Sequence, residues 1–224
     1  MNNIITIDGP AGSGKSTVSR LLAKKLNYLY LDTGAMYRAA ALIAKRRGID
    51  FSDGEKLWEL CKNLDLKFET DGEDTKLYLG KEDVSLAIRS PEMDMLSSGI
   101  SAIKEVRKAM TELQRKIGEG RALVAEGRDM GTVVFPNADH KFFITASPEV
   151  RAERRYKERI SRGESISKTE LERELRKRDH QDETRSIAPL TPAEDAEVID
   201  TTTLNPYQVV EKILMAINIW GGLK

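Results

Sequence analysis

Residues 7–17 read IDGPAGSGKST, and they join a short apolar run to an amphipathic one. Ile4, Ile5 and Ile7 precede them with the compactness of a buried strand, and Val18, Leu21, Leu22 and Leu26 follow at helical spacing. Gly9, Gly14, Lys15 and Ser16 match GxxxxGK[ST], the phosphate-binding loop. Each position has a physical reason. The glycines let backbone N–H groups wrap a phosphate, Lys15 reaches the β and γ phosphates, and the Ser16 hydroxyl can ligate Mg²⁺. The helix start adds its positive dipole end. Gly9, Pro10, Ala11, Gly12, Ser13, Gly14, Lys15, Ser16 and Thr17 are therefore the expected ATP contacts, with Ser16 as the expected metal ligand.

Outward from the loop, Tyr28–Leu31 reads as a second strand and Gly34–Arg47 as a second helix ended by Gly48, a βαβα beginning. The period then changes. Leu64, Leu66 and Phe68 alternate with polar residues, DGED at 71–74 supplies a turn, and Leu77, Tyr78 and Leu79 give a return strand, so a β-hairpin interrupts an α/β pattern. Helical spacing runs from Pro91 to Ile117, strands follow at Leu123–Ala125 and Lys141–Ala146, and Val198–Ile199 with Tyr207–Trp220 supply a last strand and helix. Between Pro148 and Arg185, 22 of 38 residues are charged, which predicts solvated helices with a mobile elbow around SRGES. Nine of those charges are Arg and three are Lys, although the whole chain has eighteen of each. Arginine is the side chain suited to planar phosphate recognition.

Bulk composition narrows the function classes. Lys plus Arg equals Asp plus Glu at 36 each, so no net positive field draws nucleic acid, and no apolar run is long enough to span a membrane. The N-terminal MNNIITIDGP has no charged n-region or small-residue cleavage site, so a cytoplasmic protein is expected. The single cysteine, Cys61, excludes an internal disulfide and a cysteine metal cage, and reads as a small core residue. No guanine-reading NKxD motif is present and no long apolar strand ends in a DExx box, which leaves a kinase ahead of a switch GTPase or a helicase. A kinase needs a second anion site and a means of excluding water.

Two further stretches supply candidates for that site. LDTGAMYR, 31–38, ends the second strand and starts the next helix, where open α/β sheets bind ligands. Helix capping is the plain reading of Asp32 and Thr33, with Thr33 a fair N-cap, while Arg38 can offer a bidentate fork to a monophosphate. EGRDMGT, 126–132, follows the third core strand, and Gly127, Arg128 and Asp129 sit at the carboxyl edge of the sheet, as phosphate and base contacts or as a salt-bridged loop. Arg178, Asp182 and Arg185 are spaced i, i+4, i+7, which puts them on one helical face.

Together IDGPAGSGKST, LDTGAMYR, EGRDMGTVVFP and RDHQDETRSIAPL resemble the bacterial cytidylate kinases over about residues 4–215. The resemblance implies an α/β P-loop fold with a five-stranded parallel core, helices on both faces, a β-containing acceptor-binding insertion and a helical lid. The boundaries that follow are 1–48, 92–147 and 186–224 for the core, 49–91 for the insertion and 148–185 for the lid. It further implies a monomer that transfers phosphate from ATP to CMP or dCMP with Mg²⁺. By motif, Arg38, Arg128 and Arg185 would hold the CMP phosphate, and Asp182 the ribose hydroxyls. Ser98, Arg107 and Asp129 would read the cytosine edge, and Arg178 would reach the transferring phosphoryl. Asp32, Thr33, Tyr37 and Gly127 complete the expected acceptor contacts, and Lys15, Arg128, Arg178 and Arg185 the catalytic set. Glu126 is a local departure, since many relatives are expected to carry Asp there. A kinase for UMP or another small acid, and an ATP-binding regulatory module, stand as the alternatives.

Overall fold

The computed structural model describes residues 3–71 and 74–221. In chain order the elements begin with β1 (Ile4–Asp8), α1 (Lys15–Leu26), β2 (Leu29–Asp32), α2 (Thr33–Arg46) and α3 (Gly54–Lys62). Three strands follow, β3 (Leu66–Asp71), β4 (Asp74–Leu79) and β5 (Glu82–Asp83), then α4 (Pro91–Ser101) and α5 (Lys104–Gly118). The remainder is β6 (Leu123–Gly127), β7 (His140–Thr145), α6 (Pro148–Ser161), α7 (Lys168–Thr184), β8 (Glu197–Asp200) and α8 (Pro206–Gly221). Five strands form one sheet in the order β2-β6-β1-β7-β8, and the β1–β6, β1–β7 and β7–β8 pairings are all parallel. The doubly wound core expected from the sequence is present. All of β6 and four of the five β1 residues are buried, as strands covered on both faces require.

The chain divides into two compact units, Met1–Leu29 with Arg121–Lys224, and Tyr30–Gly120. In the first, Ile5, Ile7, Leu123, Val124, Phe142 and Ile144 form the sheet's core, and α1 packs on β6 and α8. The charged α6–α7 pair corrects the expectation of solvated helices. Ala152, Leu171 and Leu175 bury an apolar seam with Ala11, flanked by Tyr156 and Ile166. At the elbow Arg159 donates to Glu164 at 2.6 Å and to Glu174 at 2.7 Å. Few apolar residues suffice here because two helices and the glycine-rich loop share one seam.

In the second unit, β3 and β4 pair antiparallel with Leu66 opposite Leu79 and Phe68 opposite Leu77, so one face of the hairpin is apolar. That face packs on Ala35, Ala39 and Leu42 of α2 and Met93 of α4, around Val84 and Ile88. Each fully buried aliphatic side chain there contributes about 1.5–3 kcal/mol. The expected hairpin is present, with β5 as an added third strand; Gly72 and Glu73 of the expected turn lie outside the described residues. Three departures are local. The single helix read over Pro91–Ile117 is two, because Ile103 takes an extended backbone (φ −80°, ψ 124°) between α4 and α5. Helix α3 had no counterpart in the sequence reading; Asp53 caps it, and Leu57, Leu60 and Cys61 are its buried stripe. Asp32, not Thr33, is the N-cap of α2, accepting from the Ala35 N–H at 2.8 Å. Cys61 is fully buried, and burial pushes its thiol up to about 12. Among the described residues no helix is long and apolar enough to cross a membrane.

Candidate active site

In the first unit the glycine-rich loop runs from Gly9 to Gly14 between β1 and α1, with Lys15, Ser16 and Thr17 opening the helix. Two glycines are required by shape. A Cβ on Gly9 (φ +147°) would fall 2.0 Å from the Ile144 carbonyl oxygen, and one on Gly12 (φ +75°) 2.7 Å from the Arg151 carbonyl oxygen. A loop that aims its N–H groups at a phosphate turns carbonyls toward the protein, and those carbonyls need donors. The Pro10 carbonyl accepts from Lys15 Nζ at 2.7 Å and Ser13 Oγ at 3.0 Å. Arg151 NH1 donates to the Ala11 carbonyl at 3.2 Å, and Arg154 NH1 to that of Ser13 at 3.2 Å. The Thr201 hydroxyl lies 3.0 Å from the Ser13 carbonyl as well.

Lys15 is buried, and its ammonium is pushed well below the ordinary lysine range. Burial is the largest cause; repulsion from Arg128 and Arg178 adds to it, and Glu126 and Asp8 oppose it. Ser16 Oγ donates to Glu126 Oε2 at 2.9 Å, where β6 ends beside the loop. Asp8, the last residue of β1, accepts from the consecutive N–H groups of Met130 at 2.9 Å and Gly131 at 2.8 Å. It thereby fixes the chain just beyond Arg128 and Asp129, which continues as one π-type turn, Met130–Val134. Such turns recur at functional sites. Burial pushes the Asp8 carboxyl up to about 6 against those two hydrogen bonds.

Arg128 donates through Nε to Asp182 Oδ2 at 2.9 Å, and Arg185 NH1 lies 3.7 Å from Asp182 Oδ1. Arg185 NH2 is 3.9 Å from Asp129 Oδ1, and its Nε donates to the Ala188 carbonyl at 2.6 Å. Burial raises the Asp182 carboxyl, but the charges of Arg128, Arg178 and Arg185 outweigh it and hold the group below its ordinary range. Arg178 and Asp182 ride on α7. Arg185 does not share their helical face: it is the C-cap, with an extended backbone (φ −61°, ψ 139°), and reaches Asp182 from the outgoing chain.

In the second unit Thr33, Tyr37 and Arg38 lie on α2, Ser98 on α4 and Arg107 on α5. Arg38 NH2 lies 3.6 Å from Asp32 Oδ2 and NH1 4.0 Å from Asp94 Oδ1, while its buried Nε has no hydrogen-bond partner among the described residues. The buried Arg107 donates to the Ser101 carbonyl at 3.0 Å and lies 5.8 Å over the Tyr37 ring. The Ser98 carbonyl accepts from Ser101 Oγ at 2.9 Å.

Asp8, Asp94, Arg151, Arg154 and Thr201 were absent from the sequence reading. Asp94 had a signal, because it stands i, i+4 from Ser98 on α4. Arg151 and Arg154 had none beyond the excess of arginine.

A glycine-rich loop between a parallel strand and a helix, with a buried lysine and a serine at the helix start, defines a P-loop nucleotide-binding protein. The family model described as cytidylate kinase matches residues 5–219. The chain belongs to the cytidylate kinase family, and it is a phosphotransferase. It is 50% identical over 208 residues to the cytidylate kinase of Citrifermentans bemidjiense, covering 93% of this chain and 89% of that one. The cytidylate kinase of Carboxydothermus hydrogenoformans is 48% identical, covering 95% and 96%. That of Clostridioides difficile is 43% identical, covering 97% and 99%. Among solved structures, an uncharacterized protein from Eubacterium ventriosum shares the fold with a TM-score of 0.52 at 12% identity, over 97% of this chain and 99% of that one. A gluconokinase from Sinorhizobium meliloti does so with a TM-score of 0.50 at 13% identity, over 100% and 97%.

Proposed function

We propose that the chain transfers the γ-phosphoryl group of ATP to CMP and dCMP, forming CDP and dCDP. The observation that carries the reading is the Gly9–Gly14 loop opening α1, with the buried Lys15 at its end beside the charges of Arg128 and Arg178. In this reading Gly9–Thr17 cradle the donor phosphates. An acceptor phosphate oxygen, already anionic near neutral pH, attacks the γ-phosphorus while the bond to the β–γ bridging oxygen breaks. No general base is needed. Lys15, Arg128, Arg178 and Arg185 neutralise the equatorial oxygens, where charge spreads in a loose transition state.

Arg38, Arg128 and Arg185 hold the acceptor phosphate, Asp182 the ribose hydroxyls, and Ser98, Arg107 and Asp129 the cytosine edge, with Asp32, Thr33, Tyr37 and Gly127 completing the acceptor contacts. The ion pairs around Asp182 leave it lone pairs for a sugar, because each carboxylate oxygen accepts twice. Residues 49–91 act as the acceptor-binding insertion and 148–185 as the lid on a core of 1–48, 92–147 and 186–224. The hydrogen-bonded pair of Ser16 and Glu126 fits Mg²⁺, a cation that takes few protein oxygens and fills its shell with water and phosphate. Consistent with that habit, no cluster of three or more His, Cys, Asp or Glu side chains suited to a metal occurs among the described residues. Ser16 and Glu126 would hold Mg²⁺, which would supply positive charge against the phosphate oxygens. The reading includes a cytoplasmic monomer with no membrane partner and no nucleic-acid partner, the last supported by equal totals of 36 basic and 36 acidic residues.

The test is ADP release with ATP and Mg²⁺ across CMP, dCMP, UMP, AMP, GMP and shikimate, beside an acceptor-free control. Turnover with CMP and dCMP alone is the expected result. Turnover mainly with UMP would overturn the roles of Ser98, Arg107 and Asp129. ATP binding without acceptor-dependent turnover would point to the regulatory module.

A further inference from the structure

We propose that Asp179 is a positioning residue for the donor site, acting through Arg151 to hold the glycine-rich loop in its phosphate-binding shape. The inference rests on reading that loop as the ATP site. Asp179 lies on α7 next to Arg178, and its Oδ2 accepts from Arg151 NH1 at 2.5 Å. The same NH1 donates to the Ala11 carbonyl inside the loop at 3.2 Å, and Arg151 Nε donates to the Ala146 carbonyl at 3.1 Å. One guanidinium therefore ties together the loop, the chain leaving β7 and the helix that carries Arg178 and Asp182. Arg151 and Asp179 are each 9% exposed.

Geometry assigns the parts. A guanidinium is a rigid planar fork, so fixing one prong fixes the directions of the others. The acid sets the plane in which Arg151 meets Ala11 and Ala146. The backbone of Arg151 presses on the same loop, since its carbonyl oxygen is what a Cβ on Gly12 would strike at 2.7 Å. A buried ion pair is weak evidence for stability, because apolar substitutes of similar volume often serve as well. Its use here is one of direction: the Gly12 N–H, in the same trans peptide unit as the Ala11 carbonyl, faces a phosphate only while that carbonyl is held away from it. Arg159 serves as the internal comparison. It ties α6 to the elbow through Glu164 and to α7 through Glu174, and neither hydrogen bond reaches the glycine-rich loop.

The experiment measures equilibrium ATP binding and melting temperature for wild type, Asp179→Asn, Arg151→Lys and Arg159→Gln. Asp179→Asn and Arg151→Lys are expected to weaken ATP binding about tenfold or more, the size of effect that misplacement of a site by a fraction of an ångström produces. Arg151→Lys keeps a charge for Asp179 but loses the fork, so it tests the geometry even if Asp179→Asn fails to fold. Arg159→Gln is expected to lower the melting temperature and leave the ATP dissociation constant within about twofold of wild type. Unchanged ATP binding in Asp179→Asn or Arg151→Lys overturns the inference. So does an equal loss in Arg159→Gln, which would mean that any loosening of the helix pair suffices. Wild-type protein that binds no ATP would instead sink the reading of the loop.

Discussion

Ser16 and Glu126, 110 residues apart in the chain, share a hydrogen bond of 2.9 Å at the junction of α1 and β6. The serine that follows the phosphate loop and the acid near the end of the neighbouring strand are thus joined side chain to side chain. Glu126→Gln keeps an acceptor for Ser16 but removes the charge. It is expected to raise the Mg²⁺ concentration for half-maximal rate by about 10- to 100-fold, with the ATP-free melting temperature little changed. An Mg²⁺ titration identical to wild type would remove Glu126 from metal binding.

Lys15 is buried with its Nζ donating to the Pro10 carbonyl at 2.7 Å, and in the proposed reaction it meets the charge that spreads over the transferring phosphoryl group. Lys15→Ala is expected to cost about 3 kcal/mol of transition-state stabilisation, or roughly two orders of magnitude in kcat/KM. The measurement is steady-state kinetics with CMP at saturating Mg²⁺. Turnover above a tenth of wild type would show that the ammonium is not part of the transition-state charge balance.

Asp129 is buried and 3.9 Å from Arg185, so its carboxylate is fixed rather than freely rotating. An acid can accept from the exocyclic amine of cytosine, which uracil lacks. Asp129→Ala should therefore narrow the preference for CMP over UMP by about tenfold or more, the scale on which a lost buried partner acts. The ratio of kcat/KM for the two acceptors checks this, and an unchanged ratio would free Asp129 for a purely structural role.

Asp8 predicts a pH dependence of stability. Its carboxyl is raised from an ordinary 3.8 to about 6, so the fold favours the protonated form. The favourable contribution is present at low pH and is lost as pH rises through 6, because the unfolded chain ionises first. Asp8→Asn does not titrate. Relative to wild type, it should gain about 2 kcal/mol between pH 4.5 and 7.5, whatever its constant cost for the altered hydrogen bonds to Met130 and Gly131. Urea unfolding at both pH values measures the difference, and a pH-independent one would mean that Asp8 titrates normally.

Elements whose information is local could be read from the chain. The apolar run of β1, the glycines after it and the stripe of α1 are contiguous, and so is the alternation of β3 with β4. Helix α3 is hard to read because its apolar residues are few and its three buried ones, Leu57, Leu60 and Cys61, span little more than one turn. The α4–α5 break escaped because Ala102 and Ile103 continue the apolar pattern across it, with no proline to mark the change. The candidate site divides in the same way. Lys15, Ser16, Arg38, Arg128 and Arg178 sit in motifs whose spacing is a chemical statement. The pairs of Asp8 with Met130 and Arg154 with Ser13 are set by packing between residues 122 and 141 positions apart, and no local period encodes them.

The buried thiol of Cys61 has a practical side. With its ionisation pushed up to about 12 and no exposed surface, it offers a maleimide almost no thiolate to react with while the protein is folded. A second cysteine engineered onto α3 or the α6–α7 elbow would carry a fluorophore alone, and the native residue would report unfolding by becoming labelled only when the core opens.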